Sequence, residues 1–376
     1  MQLPSPANTV VASSRSQGRI LFIAPTLEGG GSGRVLLNVA ELFTDLGYET
    51  HVLVLKDMID FTVDERIYLR VLAIPEPISK HKILQHLAFT IFFRIYLRKH
   101  GPFDLIFSNY QSRYQFYPNT VADQLFFWIH ADYWSDIAAL LPTRPDKAQR
   151  EMERFKKFYN RRHLIAVSEA AKGSLLEGNK VEPKTCRVIY NPFDFKKIRA
   201  MAEEPTAGLP TEEYIIHVAK FDRYKRHDLL LDAFKQLAPP IKLVLLTKEH
   251  DELGALIEHF GLRDRVIVAG FQQNPYPWIR QAKLLVLSSD SREALPTVLI
   301  EALILGTPVV STDCPTGPRE ILSGSLAHWL VPVNDSEAMA NKMQEALSSD
   351  YFIEEQLLER FSSEVVMKQF VKLSQH

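Results

Sequence analysis

The chain of 376 residues is too long for one ordinary hydrophobic core, so its length predicts two domains. Hydrophobic residues at 46% and charged residues at 24% are typical of a soluble globular protein and exclude a mainly disordered chain. The net charge of -1 at pH 7 argues against a nucleic-acid-binding protein, because contacts with phosphates require a clustered cationic surface.

Residues 1–18 are polar, contain proline and serine, and lack the apolar centre of a signal peptide. We interpret them as a disordered leader. Cys186 and Cys314 are the only cysteines in the sequence, and they lie far apart without metal-ligand spacing. They therefore indicate neither a disulfide framework nor a zinc site, and a reducing cytoplasm fits this composition.

A strand, a glycine-rich loop, a helix and a second strand follow in that order, which predicts a βαβ unit of a parallel sheet. The strands are predicted over residues 20–24 and 51–55, with the loop at 29–33 and the helix from 35 to 43. The loop matches a dinucleotide fingerprint poorly, because its glycine spacing is wrong and Lys56, not an acidic residue, follows the second strand. Glycine still lets the backbone approach a ligand closely.

The segment 83–97 is apolar in long runs, but no stretch reaches the roughly 18 uncharged apolar residues that a transmembrane helix requires. The basic residues that flank it are Lys80, Lys82, Arg94, Arg98 and Lys99. Two interpretations remain open. The segment is either a buried helix with solvated ends, or an interfacial helix through which residues 80–100 make peripheral contact with an anionic membrane.

Apolar strands continue over residues 104–107, 125–129 and 164–168, and such continuous runs are buried by helices on both faces. His130 directly follows the second of these strands. At the carboxyl end of a strand it would face the cleft, where it can hydrogen-bond a sugar or assist proton transfer. A purely structural role is the alternative for a lone histidine. The loop-like residues 201–210 predict the linker between the domains.

A second alternation of strands and helices follows the linker and predicts another doubly wound α/β domain. Its predicted elements are strands at 214–218, 241–246, 266–269, 284–287 and 307–311 and a helix at 228–237. Ligands of such sheets bind at the carboxyl ends of the strands. The predicted fold class is therefore α/β, with two Rossmann-like, doubly wound parallel-sheet domains that face a central cleft, the expected active site.

The stretch 218–228 leaves the carboxyl end of the first strand of this second series and carries several cations. Fixed cations lower the barrier of a reaction in which a pyrophosphate leaving group gains negative charge. We assign Lys220 and Lys225 to this role. The alternative is a solvated basic loop, which is what most charge clusters are.

Two carboxylates, Glu293 and Glu301, flank the start of the helix that is predicted after the strand 284–287. Glu293 would lie in the loop and Glu301 about two turns into the helix, so both can face one elongated ligand. The residues at this helix start are Leu295, Pro296, Thr297 and Val298. Backbone N–H groups at a helix start favour a phosphate. An ordinary turn with solvated glutamates is the alternative.

The sequence contains no Asp-x-Asp motif that would hold a divalent cation on a diphosphate. We therefore expect no metal site and no cofactor, with lysine side chains neutralising the diphosphate in place of a metal.

Taken together, these motifs resemble the retaining glycosyltransferases of family 4, which have the GT-B fold, over almost the whole chain. The family's paired-glutamate motif matches Glu293 and Glu301, and its basic strand-end motif matches residues 218–228. Its double-glycine loop ahead of an Arg-Val helix start matches Gly30 and Gly31. The joint occurrence of these motifs is far more specific than any one of them.

The resemblance implies a role for each matched residue. Glu301 would bind the nucleotide ribose, Glu293 the hydroxyls of the donor sugar, and Lys220 with Lys225 the diphosphate. The implied catalytic residues are His130, which matches the family's cleft histidine, Lys220, Lys225 and Glu293. The further donor-contacting residues would be Gly30, Gly31, Phe271, Leu295, Pro296, Thr297 and Val298.

The resemblance also implies a division of the chain. Residues 19–195 would form an acceptor-binding domain and residues 211–355 a sugar-nucleotide-binding domain. Residues 356–376 would include a final helix that packs back on the first domain.

Two residues depart from the family pattern. Lys220 follows Ala219 where the family usually has Gly-Arg, and lysine cannot reproduce the bidentate fork of arginine on a phosphate. Ala294 follows Glu293 where the family usually has glycine, which restricts the loop and bears on the identity of the donor.

The implied activity is transfer of a hexose or N-acetylhexosamine from a nucleoside-diphosphate sugar, with UDP expected, to a glycan in lipopolysaccharide, capsule or other surface polysaccharide synthesis. The enzyme would work in the cytoplasm, with possible peripheral attachment at the inner face of the membrane. Two alternatives are a UDP-sugar epimerase, for which His130 and Asp132 are candidate acid–base groups, and an inactive sugar-nucleotide-binding partner, which Lys220 and Ala294 favour slightly.

Overall fold

The computed structural model describes residues 16–28, 31–72, 82–109 and 117–375. Most of the predicted leader lies outside these residues. Its last part, residues 16–18, is tied to the first domain, because the Gln17 N–H donates to the Gly47 carbonyl at 3.1 Å. The interpretation of these last three residues as part of a disordered leader is therefore wrong.

The first domain contains a seven-stranded parallel sheet in the order β3-β2-β1-β4-β5-β6-β7 within the described residues. Its strands are β1 (Arg19–Ala24), β2 (Glu49–Val54), β3 (Tyr68–Val71), β4 (Leu105–Ser108), β5 (Leu125–Ile129), β6 (His163–Ala166) and β7 (Thr185–Val188). The order reverses between β1 and β4, so the cleft at their carboxyl ends is the natural ligand site.

Helices cover both faces of this sheet. They are α1 (Gly31–Asp45), α2 (Lys82–His100), α3 (Ser135–Leu140), α4 (Pro145–Tyr159), α5 (Glu169–Gly173), which continues as the π-helical turn Ser174–Gly178, and α6 (Phe195–Met201). Side chains of β1 alternate between two cores: Ile20 and Phe22 pack with α1, and Leu21 and Ile23 pack in the core that contains Phe89 of α2.

The second domain contains a six-stranded parallel sheet in the order β10-β9-β8-β11-β12-β13 in the part of the chain that is described. Its strands are β8 (Tyr214–Val218), β9 (Lys242–Leu246), β10 (Val266–Val268), β11 (Leu284–Leu287), β12 (Val309–Thr312) and β13 (Leu330–Val331). The helices are α7 (His227–Lys235), α8 (Asp251–His259), α9 (Tyr276–Gln281), α10 (Thr297–Ile304), α11 (Pro318–Ile321) and α12 (Ser336–Ser348). The predicted fold class, two doubly wound α/β domains facing a cleft, is confirmed.

The last helix, α13 (Ser363–Val371), returns to the first domain. The Phe193 N–H donates to the Phe361 carbonyl at 2.8 Å, and the N–H of Ser363, the first residue of α13, donates to the Phe193 carbonyl at 2.9 Å. The ring of Phe370 packs 5.4 Å from that of Trp128 in β5. The helix thus helps to form the core beneath the first domain's side of the cleft.

The glycine-rich loop is shorter than predicted. Gly31 and Gly33 belong to the first turn of α1, so the expectation of a loop up to residue 33 is wrong. Gly33 packs closely against the first domain, since a Cβ there would lie 3.3 Å from the Phe61 ring. Gly29 and Gly30 lie outside the described residues.

Candidate active site

A cleft of about 800 Å³ separates the two domains and is lined by both. The predicted site residues that line it are Gly31, His130, Lys220, Lys225, Phe271, Glu293, Leu295, Pro296, Thr297, Val298 and Glu301. Gly30 falls outside the described part of the chain. Residues that are far apart in sequence thus share one cavity, which is the arrangement that a two-domain ligand site requires.

Lys225 and Glu293 form an ion pair at the second domain's wall of the cleft. Lys225 ends a short 3₁₀ turn, in which the Asp222 carboxylate accepts the Tyr224 N–H at 3.1 Å. Its Nζ donates to Glu293 Oε1 at 2.5 Å, and the Ser289 hydroxyl donates to the same oxygen at 2.6 Å. The Glu293 side chain is buried, whereas that of Lys225 is 30% exposed. The ion pair therefore neutralises the buried carboxylate and leaves part of the lysine side chain exposed at the cleft.

Lys220 lies on the same side of the cleft, immediately after β8, and is exposed. The two lysines therefore have different surroundings, although their roles were predicted to be the same. Lys225 is fixed by Glu293, whereas Lys220 has no ion pair or hydrogen bond from its side chain among the described residues.

The helix α10 begins at Thr297 after the N-cap residue Pro296, and no side chain in the described residues accepts its first N–H groups. Pro296 itself is not helical, because its ψ of 96° is extended. The first backbone N–H groups of a helix lack intrahelical partners and carry partial positive charge. Thr297 and Val298, the first residues of the helix, line the same cleft as Lys220 and Lys225.

Glu301 lies farther along α10 and is buried at the cleft wall. Burial raises its pKa above the usual range for glutamate, and the charge of Arg34 from the first domain opposes that rise. A buried carboxylate in a cleft is suited to accept hydrogen bonds from neutral hydroxyl groups, which would replace its lost hydration.

The loop that carries Glu293 is held from two sides. The Ala294 carbonyl accepts the hydroxyl of Ser168 from the first domain at 2.7 Å. Gly317 packs against the same loop with a φ of +95°, and a Cβ there would lie 2.6 Å from Pro296 Cδ.

Gly317→Ala is therefore expected to displace the loop and to destabilise the protein by about 1–3 kcal/mol, because the residue would be strained and would collide with Pro296. The free energy of unfolding, measured by chemical denaturation, should fall accordingly. The control is Gly254→Ala, where a Cβ meets nothing within 4 Å in α8 and alanine should be neutral or stabilising. Equal behaviour of the two variants would contradict this role of Gly317.

Arg34 connects the two domains across the cleft and was not predicted as a site residue. Its guanidinium donates to the Gln273 carbonyl at 2.6 Å and lies 5.6 Å from the centre of the Phe61 ring. Phe61 in turn packs 6.5 Å from Phe271 of the second domain. The Arg-Val helix start was visible in the sequence, but its partners were not, because they are distant in sequence.

A second interdomain contact joins Asp136 and Arg292, which form a salt bridge. The Arg292 guanidinium also stacks 3.7 Å from the centre of the Tyr224 ring, next to Lys225 in sequence. Like Arg34, this contact lies at the edge of the cleft and links loops of the second domain to the first domain.

His130 lines the cleft from the first domain, as predicted. Its ring packs 4.5 Å from that of Trp128, and Nε2 is buried without a hydrogen-bond partner among the described residues. Burial lowers its pKa to about 3, so the ring is neutral at physiological pH. It can therefore exchange hydrogen bonds with a hydroxyl group, but it carries no charge for an anionic ligand.

Asp132, the other group considered for an epimerase, is buried and occupied by local contacts. Its carboxylate accepts the Trp134 N–H at 2.9 Å and the Ser174 hydroxyl at 2.6 Å. It thus fixes the turn after β5, which is a structural role.

Among the residues described, no group of three or more His, Cys, Asp or Glu side chains is arranged to hold a metal ion. The positive charges of the cleft come from side chains and from the start of α10.

Comparison with known proteins assigns each domain to a glycosyltransferase family. Residues 29–197 match the family described as Glycosyltransferase Family 4, and residues 202–364 match the family described as Glycosyl transferases group 1. The two matches meet near the predicted linker and together cover both domains.

Two curated bacterial proteins are similar in sequence. The chain is 31% identical over 189 residues to the N-acetylgalactosamine-N,N'-diacetylbacillosaminyl-diphospho-undecaprenol 4-alpha-N-acetylgalactosaminyltransferase of Campylobacter jejuni, covering 50% of this chain and 51% of that protein. It is 28% identical over 198 residues to the lipopolysaccharide 1,6-galactosyltransferase of Escherichia coli K12, covering 50% of this chain and 54% of that protein. The chain thus aligns with about half the length of these relatives.

The fold is shared with solved structures over nearly the whole chain. HepE of Anabaena, solved in complex with UDP and glucose, superposes with a TM-score of 0.66 at 17% identity, covering 95% of this chain and 99% of that one. At this level of identity the likeness concerns the fold alone.

Proposed function

We propose that this chain, which belongs to the family 4 glycosyltransferases of the GT-B fold, transfers a hexose or N-acetylhexosamine from UDP to a glycan acceptor with retention of the anomeric configuration. The observation that carries the proposal is the wall built by the second domain. It combines the Lys225–Glu293 ion pair, the exposed Lys220, the uncapped start of α10 and the buried Glu301 along one side of the cleft.

Each of these groups suits one part of a sugar nucleotide. The amides at the start of α10 and the lysine cations attract the diphosphate. Glu301 accepts hydrogen bonds from the ribose hydroxyls, and Glu293 accepts them from the sugar. UDP as the nucleotide is the expectation from the family resemblance, and a panel of donors tests it.

The reaction breaks the bond between the anomeric carbon and the diphosphate oxygen and forms a bond from the acceptor oxygen on the same face. The departing phosphate oxygen takes the acceptor proton. Lys225 and the α10 amides stabilise the negative charge that the diphosphate gains as the bond breaks, because they lie together on one wall of the cleft. Contacts between the domains exclude water and limit hydrolysis of the donor.

The same groups support the proposal that catalysis is independent of a metal ion and of a cofactor. Each lysine and each helix-end amide supplies positive charge where a divalent cation would otherwise sit on the diphosphate.

The proposed pathway is synthesis of lipopolysaccharide, capsule or another surface polysaccharide at the cytoplasmic face of the membrane. The two curated relatives support it, since one acts on an undecaprenol-linked glycan and the other on lipopolysaccharide, according to their names.

The experiment is incubation of the purified chain with a panel of UDP-sugars and glycan acceptors, with and without a chelator. We expect a glycosylated acceptor in both conditions. Isomerisation of the donor sugar would favour an epimerase, and nucleotide binding without turnover would favour an inactive partner. Activity that disappears with the chelator and returns only with a divalent cation would contradict metal independence. The anomeric configuration of the product, determined by NMR, tests retention.

We also propose peripheral membrane attachment through α2. One face of this helix is buried through Phe89, Phe93 and Tyr96. The opposite face exposes the apolar side chains of Leu84, Leu87, Ile91, Phe92 and Ile95. We call these five residues the α2 apolar face. The helix is therefore buried on one side only, and its exposed apolar side is the surface that we propose for the membrane.

Charge around the α2 apolar face supports an anionic lipid surface as its partner. Arg94, Arg98 and Lys99 of the same helix are exposed, and so is Arg70 on the edge strand β3. Apolar side chains flanked by cations are typical of helices that lie in the headgroup region. No helix in the described residues is long and apolar enough to span a bilayer.

The double variant Ile91→Ser/Ile95→Ser is expected to reduce binding to phosphatidylglycerol-containing vesicles by about tenfold or more, because it removes apolar surface that would leave water on binding. Sedimentation with vesicles measures the bound fraction. The control is Phe352→Ser, which changes an apolar side chain of the second domain that is 73% exposed. Equal binding of the wild type and both variants, or weaker binding of Phe352→Ser alone, would contradict membrane attachment through the α2 apolar face.

A further inference from the structure

The loop before α10 carries Glu293 and is attached to the first domain on both sides of that residue. Arg292 forms a salt bridge with Asp136, and its Nε donates to Asp136 Oδ1 at 2.9 Å. The Ala294 carbonyl accepts the hydroxyl of Ser168 at 2.7 Å. Because both sequence neighbours of Glu293 contact the first domain, the position of its carboxylate depends on where that domain lies.

The turn that carries Lys225 is attached to the same aspartate of the first domain. Tyr224 directly precedes Lys225, and its hydroxyl donates to Asp136 Oδ1 at 3.4 Å. The centre of its ring lies 3.7 Å from the guanidinium carbon of Arg292. The Asp290 N–H donates to the Tyr224 carbonyl at 3.0 Å, which joins this turn to the loop before α10. Asp136 thus contacts a sequence neighbour of each member of the ion pair in the cleft.

The backbone of Arg292 is held in an unusual conformation. Its φ of 63° lies in the left-handed region, which residues with a large side chain rarely adopt. Such a conformation persists only where surrounding contacts hold it. The contacts here are the Asp136 carboxylate and the Tyr224 ring. Since Glu293 is the next residue, the direction in which the chain reaches it depends on these contacts.

Asp136 itself lies outside the cleft. It is in the first turn of α3 and is not among the described residues that line the cavity, so a bound donor would not touch its carboxylate. Its side chain is 42% exposed, and ion pairs at that exposure contribute little to the stability of a protein. A carboxylate at the start of a helix can also stabilise that helix, which is the alternative role of this residue.

We propose that Asp136 is a positioning residue of the first domain for the ion pair of Lys225 and Glu293. It acts through Arg292 and Tyr224. The inference rests on the proposed function, in which this pair contacts the diphosphate and the sugar of the donor. Groups that stabilise charge in a transition state have to be placed accurately, since a misplacement of about 1 Å can slow a reaction about 100-fold. The first domain therefore fixes the groups that act on the donor from the second domain.

Asp136→Asn keeps the volume of the side chain and removes its charge. We expect kcat to fall about tenfold or more, because both loops lose their attachment to the first domain. The Kd for UDP, measured by calorimetry, should change less than about twofold, since Lys220, Glu301 and the α10 amides remain. The melting temperature should change little.

The matched control is Asp45→Asn. Asp45 is an exposed aspartate of the first domain that pairs with Arg66 of the same domain at 2.9 Å, and its substitution should leave kcat unchanged. An unchanged kcat in Asp136→Asn would overturn the inference. A lower melting temperature together with that unchanged kcat would show that Asp136 stabilises α3 instead.

A double-mutant cycle tests whether Asp136 acts through Arg292. Arg292→Asn removes the guanidinium, and asparagine tolerates the left-handed conformation at this position. In the Arg292→Asn background, Asp136→Asn should lower kcat less than about twofold further, because its partner is already absent. A further loss as large as that in the wild type would show that the two residues act independently and would overturn the inference.

Hydrogen exchange of the full chain gives a readout that requires no turnover. Asp136→Asn should raise amide exchange in residues 220–226 and 289–295, whereas Asp45→Asn should not. Faster exchange in a chain that transfers no sugar would support the attachment of both loops to Asp136 and contradict the proposed function. An active chain in which Asp136→Asn leaves both exchange and kcat unchanged would support the proposed function and overturn the positioning role.

Discussion

Lys225→Ala is expected to reduce kcat by about 100- to 1000-fold, the range seen when one group that stabilises transition-state charge is removed. Lys225 Nζ lies 2.5 Å from Glu293 Oε1 and faces the cleft beside the start of α10. Its removal takes away a cation at the diphosphate at the stage when negative charge on the leaving group is greatest. Ground-state binding of the nucleotide should change less, because Lys220 and the α10 amides remain.

The same substitution is also expected to destabilise the protein. Without Lys225, the buried Glu293 carboxylate keeps the hydroxyl of Ser289 as a partner but loses its counter-ion. An unpaired buried charge is destabilising. The fall in kcat therefore has to be separated from a fall in stability.

The double variant Lys225→Ala/Glu293→Gln makes that separation. It removes both charges, so its melting temperature should recover toward that of the wild type, while turnover stays low because the cation at the leaving group is still absent. Lys235→Ala serves as the matched control, since Lys235 is an exposed lysine at the end of α7, outside the cleft. Steady-state kinetics and thermal unfolding give both readouts. Recovery of kcat in the double variant would contradict a direct role of Lys225 at the diphosphate.

The sequence predicted which residues line the cleft better than it predicted the contacts between them. Lys225 and Glu293 were each identifiable, because glutamates near a helix start and cations after a strand are local patterns. Their ion pair was not predictable, since it depends on how the 3₁₀ turn before α7 meets the loop before α10. The role of Lys225 as both counter-ion and cleft cation follows only from the structure.

Groups that act across the cleft were the least predictable. Arg34, Phe61 and Phe271 come together only when the domains face each other, and no local spacing indicates which residue opposes which. Periodicity predicts strands and helices reliably because it reports burial, whereas site contacts depend on the relative placement of whole domains.

Short or exposed strands are also hard to predict from the sequence, even without contacts between domains. The strand β13 has two residues, Leu330 and Val331, which is too short for any alternation to be recognised. The edge strand β3 is largely exposed, so its residues lack the continuous apolar run that predicted the central strands.

Glu301→Gln is expected to have opposite effects on stability and on nucleotide binding. Burial raises the pKa of Glu301, so the folded protein holds the proton more tightly than the unfolded chain does. As the pH rises from the ordinary glutamate range through the raised pKa, the unfolded chain loses its proton first, and the free energy of unfolding falls. The neutral glutamine removes this loss, so the nucleotide-free variant should melt higher than the wild type at neutral pH. The difference should disappear at acidic pH, where Glu301 is protonated in both states.

Binding should respond in the other direction. Hydrogen bonds to a carboxylate contribute about 1.5–3 kcal/mol and those between neutral groups about 0.5–1.5 kcal/mol, so Glu301→Gln should weaken UDP binding about tenfold and Glu301→Ala about 10- to 100-fold. For the wild type, affinity should decline as the pH falls through the raised pKa, because protonation removes the charged acceptor, whereas the affinity of the glutamine variant should not follow that titration. Calorimetry across pH measures both. Unchanged affinity in both variants would remove Glu301 from the nucleotide site. A glutamine variant that melts lower than the wild type at neutral pH would show that contacts such as the charge of Arg34 stabilise the buried carboxylate by more than its burial destabilises it.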